Sequence, residues 1–146
     1  MQRPLAPHLF SWPDEAPHLL GGRCRECSAM TFPHQSRCPR CGRAEMDTVP
    51  LPRRGKLIAW TTQSYPPTVP YAGDATGANF VPFGVGLVQL GDLVRVEARL
   101  TESNPAKLDF GMDVELSVVP FYVDAAGDEI MTFAFGPVAS SHLAGA

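Results

Sequence analysis

The sequence predicts a mostly β protein in two parts, a small metal-held module followed by a five-stranded barrel. Three observations carry that prediction. All four cysteines fall in two C-x-x-C pairs, Cys24/Cys27 and Cys38/Cys41, with a ten-residue spacer between them. Downstream of Gly55, five stretches are rich in β-branched and aromatic residues or alternate apolar with polar side chains, as strands do. Charge divides at the same point. Through Lys56 there are nine basic and five acidic side chains, and from Leu57 onward three basic and ten acidic. A composition break of that size marks a domain boundary near Gly55.

The chain has 146 residues, 45% of them hydrophobic, which is room for one ordinary domain or a metal module plus a compact domain. Fifteen prolines and thirteen glycines favour short strands and turns over long helices. The reading divides the chain into an arm (1–22), a ribbon (23–50), a barrel (51–138) and a tail (139–146). In the arm, Pro4, Pro7, Pro13 and Pro17 exclude one long helix. Leu9, Phe10, Trp12, Leu19 and Leu20 must nonetheless be buried, against the ribbon of the same chain or against a partner subunit. In the ribbon, residues 29–33 form the hairpin strand between the knuckles, with Phe32 as a packing residue. Gly42 suits the left-handed turn after the second knuckle.

The barrel strands follow in order. Residues 57–64 form the first, and a long loop over 65–82 carries Pro66, Pro67 and Pro70. Strands at 83–90 and 93–100 are joined by Gly91-Asp92, a two-residue turn. In the second of these, Val94, Val96, Ala98 and Leu100 alternate with Arg95, Glu97 and Arg99, so one face is buried and one wet. Asn104-Pro105 starts a short helix that ends by Gly111. Strands at 114–123 and 130–135 flank a polar turn. Five strands with one short helix between the third and fourth is the order of an OB-fold barrel.

Two C-x-x-C knuckles at this separation present four thiolates to one tetrahedral ion, which reads as a rubredoxin-like zinc ribbon held by Cys24, Cys27, Cys38 and Cys41. Iron in the same four sulfurs is the second choice of metal. Four protein ligands leave no open position, so the Zn2+ is structural. Arg23, Arg25, Arg37, Arg40 and Arg43 lie near enough in sequence to offset the negative charge of the metal–thiolate centre. With every cysteine on the metal, no thiol is left as a nucleophile. The histidines (His8, His18, His34 and His142) lie in the arm, ribbon and tail without a triad spacing, and no catalytic residues are assigned. Gly84-Val85-Gly86 lacks the rest of a dinucleotide fingerprint and reads as a bulge or a close backbone approach. The acidic turn with Asp124, Asp128 and Glu129 reads as solvated. No run of eighteen apolar residues and no signal-peptide core occurs, and paired C-x-x-C motifs suit a reducing compartment; a soluble cytoplasmic protein is expected. A zinc ribbon with an OB-fold also suggests single-stranded nucleic acid as an alternative ligand. The acidic barrel, and aromatic residues (Trp60, Phe83, Phe121, Phe133, Phe135) at positions suited to a core, argue against it.

Laid out in this way, the chain resembles the zinc-ribbon/OB-fold proteins, once classed only as a domain of unknown function, that accompany thiolase-like acyl-CoA enzymes. The matching residues are Leu20-Gly21-Gly22-Arg23-Cys24-Arg25-Glu26-Cys27, Phe32-Pro33, Cys38-Pro39-Arg40-Cys41-Gly42, Gly55-Lys56-Leu57, Tyr65-Pro66-Pro67, the run from Phe80 to Val88, and Gly111-Met112-Asp113-Val114-Glu115. The resemblance implies a non-catalytic accessory subunit that binds a thiolase or thiolase-like aldolase, in a hetero-oligomer built on a thiolase dimer. It helps to assemble a site for an acyl-CoA thioester, and the reactive cysteine belongs to the partner. Arg53, Arg54 and Lys56, clustered where ribbon meets barrel, are the candidates to meet the phosphates of coenzyme A. The plainer reading is that three basic residues in a linker are simply solvated.

Overall fold

The computed structural model describes residues 1–68 and 80–138. The centre of the long loop (69–79) and the tail (139–146, with His142) lie outside the described residues. Among the described residues nine strands form two sheets. Strands β2 (Leu20–Cys24), β3 (Met30–Thr31) and β4 (Met46–Pro50) make a three-stranded antiparallel sheet in the order β3-β2-β4. This is the ribbon, and it begins at Leu20, inside the expected arm.

The barrel comprises β5 (Arg54–Gln63), β6 (Phe83–Leu90), β7 (Val94–Leu100), β8 (Asp113–Val123) and β9 (Glu129–Pro137). Hydrogen bonding runs β5-β6-β7-β9-β8, and β8 returns to β5, so the sheet closes. Closure leaves only short stretches of unpaired edge, which is why a barrel of strands this short holds together. This is the five-stranded OB order. The first strand starts three residues earlier than its composition suggests, because Arg54, Gly55 and Lys56 pair with Glu115, Val114 and Asp113 of β8.

Alternation fixes which residues face inward. In β7, Val96, Ala98 and Leu100 are buried while Arg95 and Glu97 are exposed, as expected. In β6 the inward positions are Gly84, Gly86, Val88 and Leu90. A Cβ on Gly86 would lie 2.7 Å from Leu57 Cδ1 and 2.8 Å from Leu100 Cδ2, so this glycine marks a close approach. The bulges lie elsewhere, between Leu57 and Ala59 on β5 and between Pro120 and Tyr122 on β8. The β6–β7 turn has three residues, one more than expected. Leu90 pairs with Val94, and the Leu93 N–H donates to the Leu90 carbonyl at 3.1 Å. The helix between β7 and β8 is a single 3-10 turn, Pro105–Lys107, capped by the Asn104 side chain accepting from the Ala106 N–H at 3.0 Å. Leu108, just after it, is buried in the core.

The arm is not a free appendage. Phe10 and Leu19 form an antiparallel bridge, and both are fully buried in one core with Leu51, Leu57, Leu90, Leu116 and Phe135. Trp12 meets Phe10 edge-on, with centroids 6.3 Å apart. Strand β1 (Gln2–Pro4) pairs in parallel with β9. The acidic turn has a partner: Arg3 contacts both Asp124 and Asp128, the second at 3.0 Å. The sequence reads this turn as solvated; its carboxylates instead fasten the arm. Ribbon and barrel meet where Phe32 packs edge-on against Phe133, with centroids 5.6 Å apart. Strand β9 is consequently buried on both faces over most of its length.

The aromatic residues divide differently from expectation. Of the five placed at core positions by the sequence, Phe135 is fully enclosed and Trp60 and Phe133 are partly buried against the core. Trp60 stacks on Phe110, which is 73% exposed; Phe83 lies under the Arg99 guanidinium, and Phe121 meets Tyr122. A five-stranded barrel has room inside for few rings, so the others sit at its rim. Among the described residues no helix is long and apolar enough to cross a membrane.

Candidate metal centre and junction

The two knuckles are built alike. The Ser28 N–H donates to the Cys24 carbonyl at 3.0 Å, and the Gly42 N–H to the Cys38 carbonyl at 2.8 Å. Cys24 N–H donates to Ala29 and Cys38 N–H to Arg43, at 2.9 and 2.8 Å. The residue after each second cysteine is left-handed, with φ of 62° at Ser28 and 79° at Gly42. Glycine adopts that conformation without strain, as expected for Gly42. Ser28 does the same work without that freedom, so composition alone would not single it out.

These turns bring the four sulfurs within 4.8 Å of one another. Cys24 Sγ lies 3.6 Å from Cys41 Sγ, and Cys27 Sγ lies 3.5 Å from Cys38 Sγ. A tetrahedral zinc with Zn–S of about 2.3 Å spaces its sulfurs by about 3.8 Å, so the cluster fits that ion. Backbone amides also favour thiolate. The Cys41 amide pulls the Cys38 thiol down to about 6, helped by the Arg40 N–H, which points at Cys38 Sγ from 3.4 Å. The Cys27 amide likewise lowers Cys24. Cys41 goes the other way: it receives a hydrogen bond from the Arg43 amide, yet desolvation and the three neighbouring sulfurs push it up to about 12. Four thiolates this close repel one another, and a divalent cation removes that conflict. Of the nearby arginines, Arg25 turns to Asp47 at 2.7 Å and Arg37 to the Gly42 carbonyl at 3.0 Å. Their charge is close to the centre, but their hydrogen bonds are made elsewhere.

The junction residues separate into two roles. Arg53 points into the protein and donates to two backbone carbonyls, of Pro17 in the arm and, at 3.1 Å, of Leu116 in β8. Arg54 and Lys56 share the exposed face of β5 and pair across to β8, with Glu115 at 3.2 Å and Asp113 at 2.6 Å. The three therefore do not form one patch. The strut made by Arg53 joins residues far apart in the chain, and nothing in its neighbourhood of sequence announces it.

Comparison with known proteins agrees with this architecture. Residues 12–47 match a model described as the ChsH2 rubredoxin-like zinc ribbon domain, and residues 48–119 the ChsH2 C-terminal OB-fold domain. A benzoylsuccinyl-CoA thiolase subunit, BbsA, from Thauera aromatica is 32% identical over 131 residues, spanning 88% of this chain and 84% of that protein. A DUF35 domain-containing scaffold protein from Pyrococcus furiosus is 33% identical over 99 residues, 67% of this chain and 66% of that one. A solved structure described as an Ltp2-ChsH2(DUF35) aldolase superposes with a TM-score of 0.60 at 26% identity, over 82% of this chain and 84% of that chain. Two matched modules, ribbon then barrel, meeting between residues 47 and 48, show that this chain belongs to the ChsH2-type zinc-ribbon/OB-fold family.

Proposed function

We infer that the protein is a non-catalytic accessory subunit of a thiolase-type acyl-CoA complex, built on a thiolase or thiolase-like aldolase, and that it helps to assemble the complex and its acyl-CoA site. The observation that carries this reading is near-full-length similarity to a protein named as a thiolase subunit, by a chain whose four thiols converge on one metal centre. Cys24, Cys27, Cys38 and Cys41 hold one structural Zn2+, which fixes the ribbon as a rigid module and leaves the reactive cysteine to the partner. The outer side of the arm, with exposed Leu5, and the β6–β7 hairpin tip, with exposed Leu93, are surfaces offered to that partner. Arg54 and Lys56 are the junction cations whose exposed ion pairs can exchange a carboxylate for a coenzyme A phosphate, while Arg53 holds the backbone behind them.

The test is co-expression with a thiolase-fold chain encoded beside it. A complex of both chains that turns over acyl-CoA, with neither activity nor thiolysis from this chain alone, is the expected outcome. Full thiolysis by the isolated chain would overturn the reading. Acyl-CoA affinity of the complex that is unchanged when Arg54 and Lys56 are both neutralised would remove the phosphate contact and leave the accessory role standing.

A further inference from the structure

The geometry points to a second binding site on the barrel, an oxyanion site in the cleft where β6 begins and β7 ends, with Arg99 as its cation. The cleft has a volume of about 310 Å³, and its lining includes Pro82, Phe83, Arg99, Thr101, Ser103 and Pro120. That volume suits a small organic acid or an inorganic anion. The Arg99 guanidinium carbon lies 4.3 Å from the centre of the Phe83 ring. Stacking holds the planar group in place and covers one of its faces, while its N–H edges stay free to donate.

Among the described basic residues of the barrel, Arg99 alone has no acceptor. Elsewhere on the barrel, Arg54 pairs with Glu115, Lys56 with Asp113 and Lys107 with Glu102, while Arg95 donates to the Gln89 side chain at 2.8 Å. Among the described residues no carboxylate or carbonyl accepts from Arg99. The nearest acids along the chain are turned to other tasks. Glu97 lines a different hollow with Ala59, Val85 and Leu87, and Glu102 accepts from the Asn104 N–H at 3.1 Å. Proline walls, a ring-stacked guanidinium and two hydroxyl-bearing side chains suit a small ligand of negative charge. A carboxylate or a phosphate supplies it through two parallel N–H···O bonds, the arrangement that arginine favours. The site does not depend on the partner assignment, since every residue it uses belongs to this chain.

Nuclear magnetic resonance of the full-length, ¹⁵N-labelled protein reads the arginine Nε–H signals directly. Titration with sodium benzoate and, separately, with inorganic phosphate at matched ionic strength should move the Arg99 signal along a saturating curve. Benzoate alone saturating would identify a carboxylate site, and phosphate alone a phosphate site. The Arg99→Gln variant should weaken binding at least tenfold, and Phe83→Leu severalfold, whereas Arg95→Gln should leave it unchanged. Linear, non-saturating shifts with both anions, or equal movement of the Arg54 and Arg95 signals, would overturn the proposal. So would unchanged affinity in Arg99→Gln. If that variant loses its fold by circular dichroism, the wild-type titration decides the matter by itself.

Discussion

The ribbon and the barrel are both small antiparallel β structures, but different forces hold them. The ribbon has three short strands and four converging thiols. Most of its strand residues are at least partly exposed, and its largest buried neighbours, Leu19 and Leu51, sit at its border with the barrel. The barrel is held by burial. Its closed ring of strands encloses Leu57, Val88, Leu90, Val96, Leu116 and Phe135. A module too small for its own apolar core is organised by a metal, while a slightly larger one is organised by burial. The two are joined by a shared edge of core and by one edge-to-face ring pair, so they should fail separately but not independently.

The largest expected effect comes from removing the ion. Structural zinc contributes an apparent 10–16 kcal/mol to folding in isolated finger peptides, roughly, so chelation or Cys38→Ser should dissolve the ribbon. Backbone amide signals of β2–β4 should collapse while those of β6 and β7 persist; loss of both sets together would break the distinction drawn above. The reverse experiment empties the barrel. Phe135→Ala removes a fully buried ring and should cost about 3–5 kcal/mol in denaturant unfolding. Bound zinc, measured by mass spectrometry under native conditions, should be retained at denaturant concentrations below the transition.

Smaller effects probe the joints. Arg53→Met keeps the stem but abandons two carbonyls, and should cost about 2 kcal/mol while loosening the arm to protease. A double-mutant cycle on Phe32 and Phe133 should return a coupling of about 0.5–1.5 kcal/mol; a value near zero would mean that ribbon and barrel merely touch. The smallest effect is expected at acid pH. The Asp124 carboxyl is held below its ordinary value, first by the Asp128 backbone N–H and then by the Arg3 guanidinium. A carboxyl more acidic in the folded state stabilises that state above its unfolded value, about 4, and this stabilisation fades as pH falls through the lower folded value. The β1 strap should therefore open in acid before the barrel does, seen as a lower amide protection factor at Arg3 and Leu5 once exchange is corrected for its intrinsic rate at each pH. Opening that is the same at pH 7 and in acid would show that strand pairing alone holds it.

Some of the molecule was legible because its code is local. C-x-x-C spacing fits two sulfurs to one turn, and the same spacing repeated predicts where the four meet. Alternation along Val94–Leu100 identifies a half-buried strand within seven residues, and Asn104-Pro105 announces its cap within three. Strand count, helix position and the metal centre followed from such patterns. The role of the acidic turn and the degree to which each aromatic ring is enclosed were not legible, for the opposite reason. Whether Asp124 is solvated depends on Arg3, 121 residues away, and whether Trp60 or Phe133 is enclosed depends on how much of a closed barrel its neighbours already fill.

The sequence by itself therefore determined the module order, the pairing of the four cysteines into two knuckles and the inward faces of the strands, because each follows from spacing over a few residues. Only the tertiary structure decided that Phe10 and Leu19 of the arm belong to the barrel's core, that Arg53 is a strut while Arg54 and Lys56 are surface pairs, and that Arg99 lies stacked on Phe83 with no acceptor among the described residues. Those outcomes arise when the sheet closes and residues 36, 63 or 121 positions apart come into contact, where separation along the chain no longer says who the neighbours are.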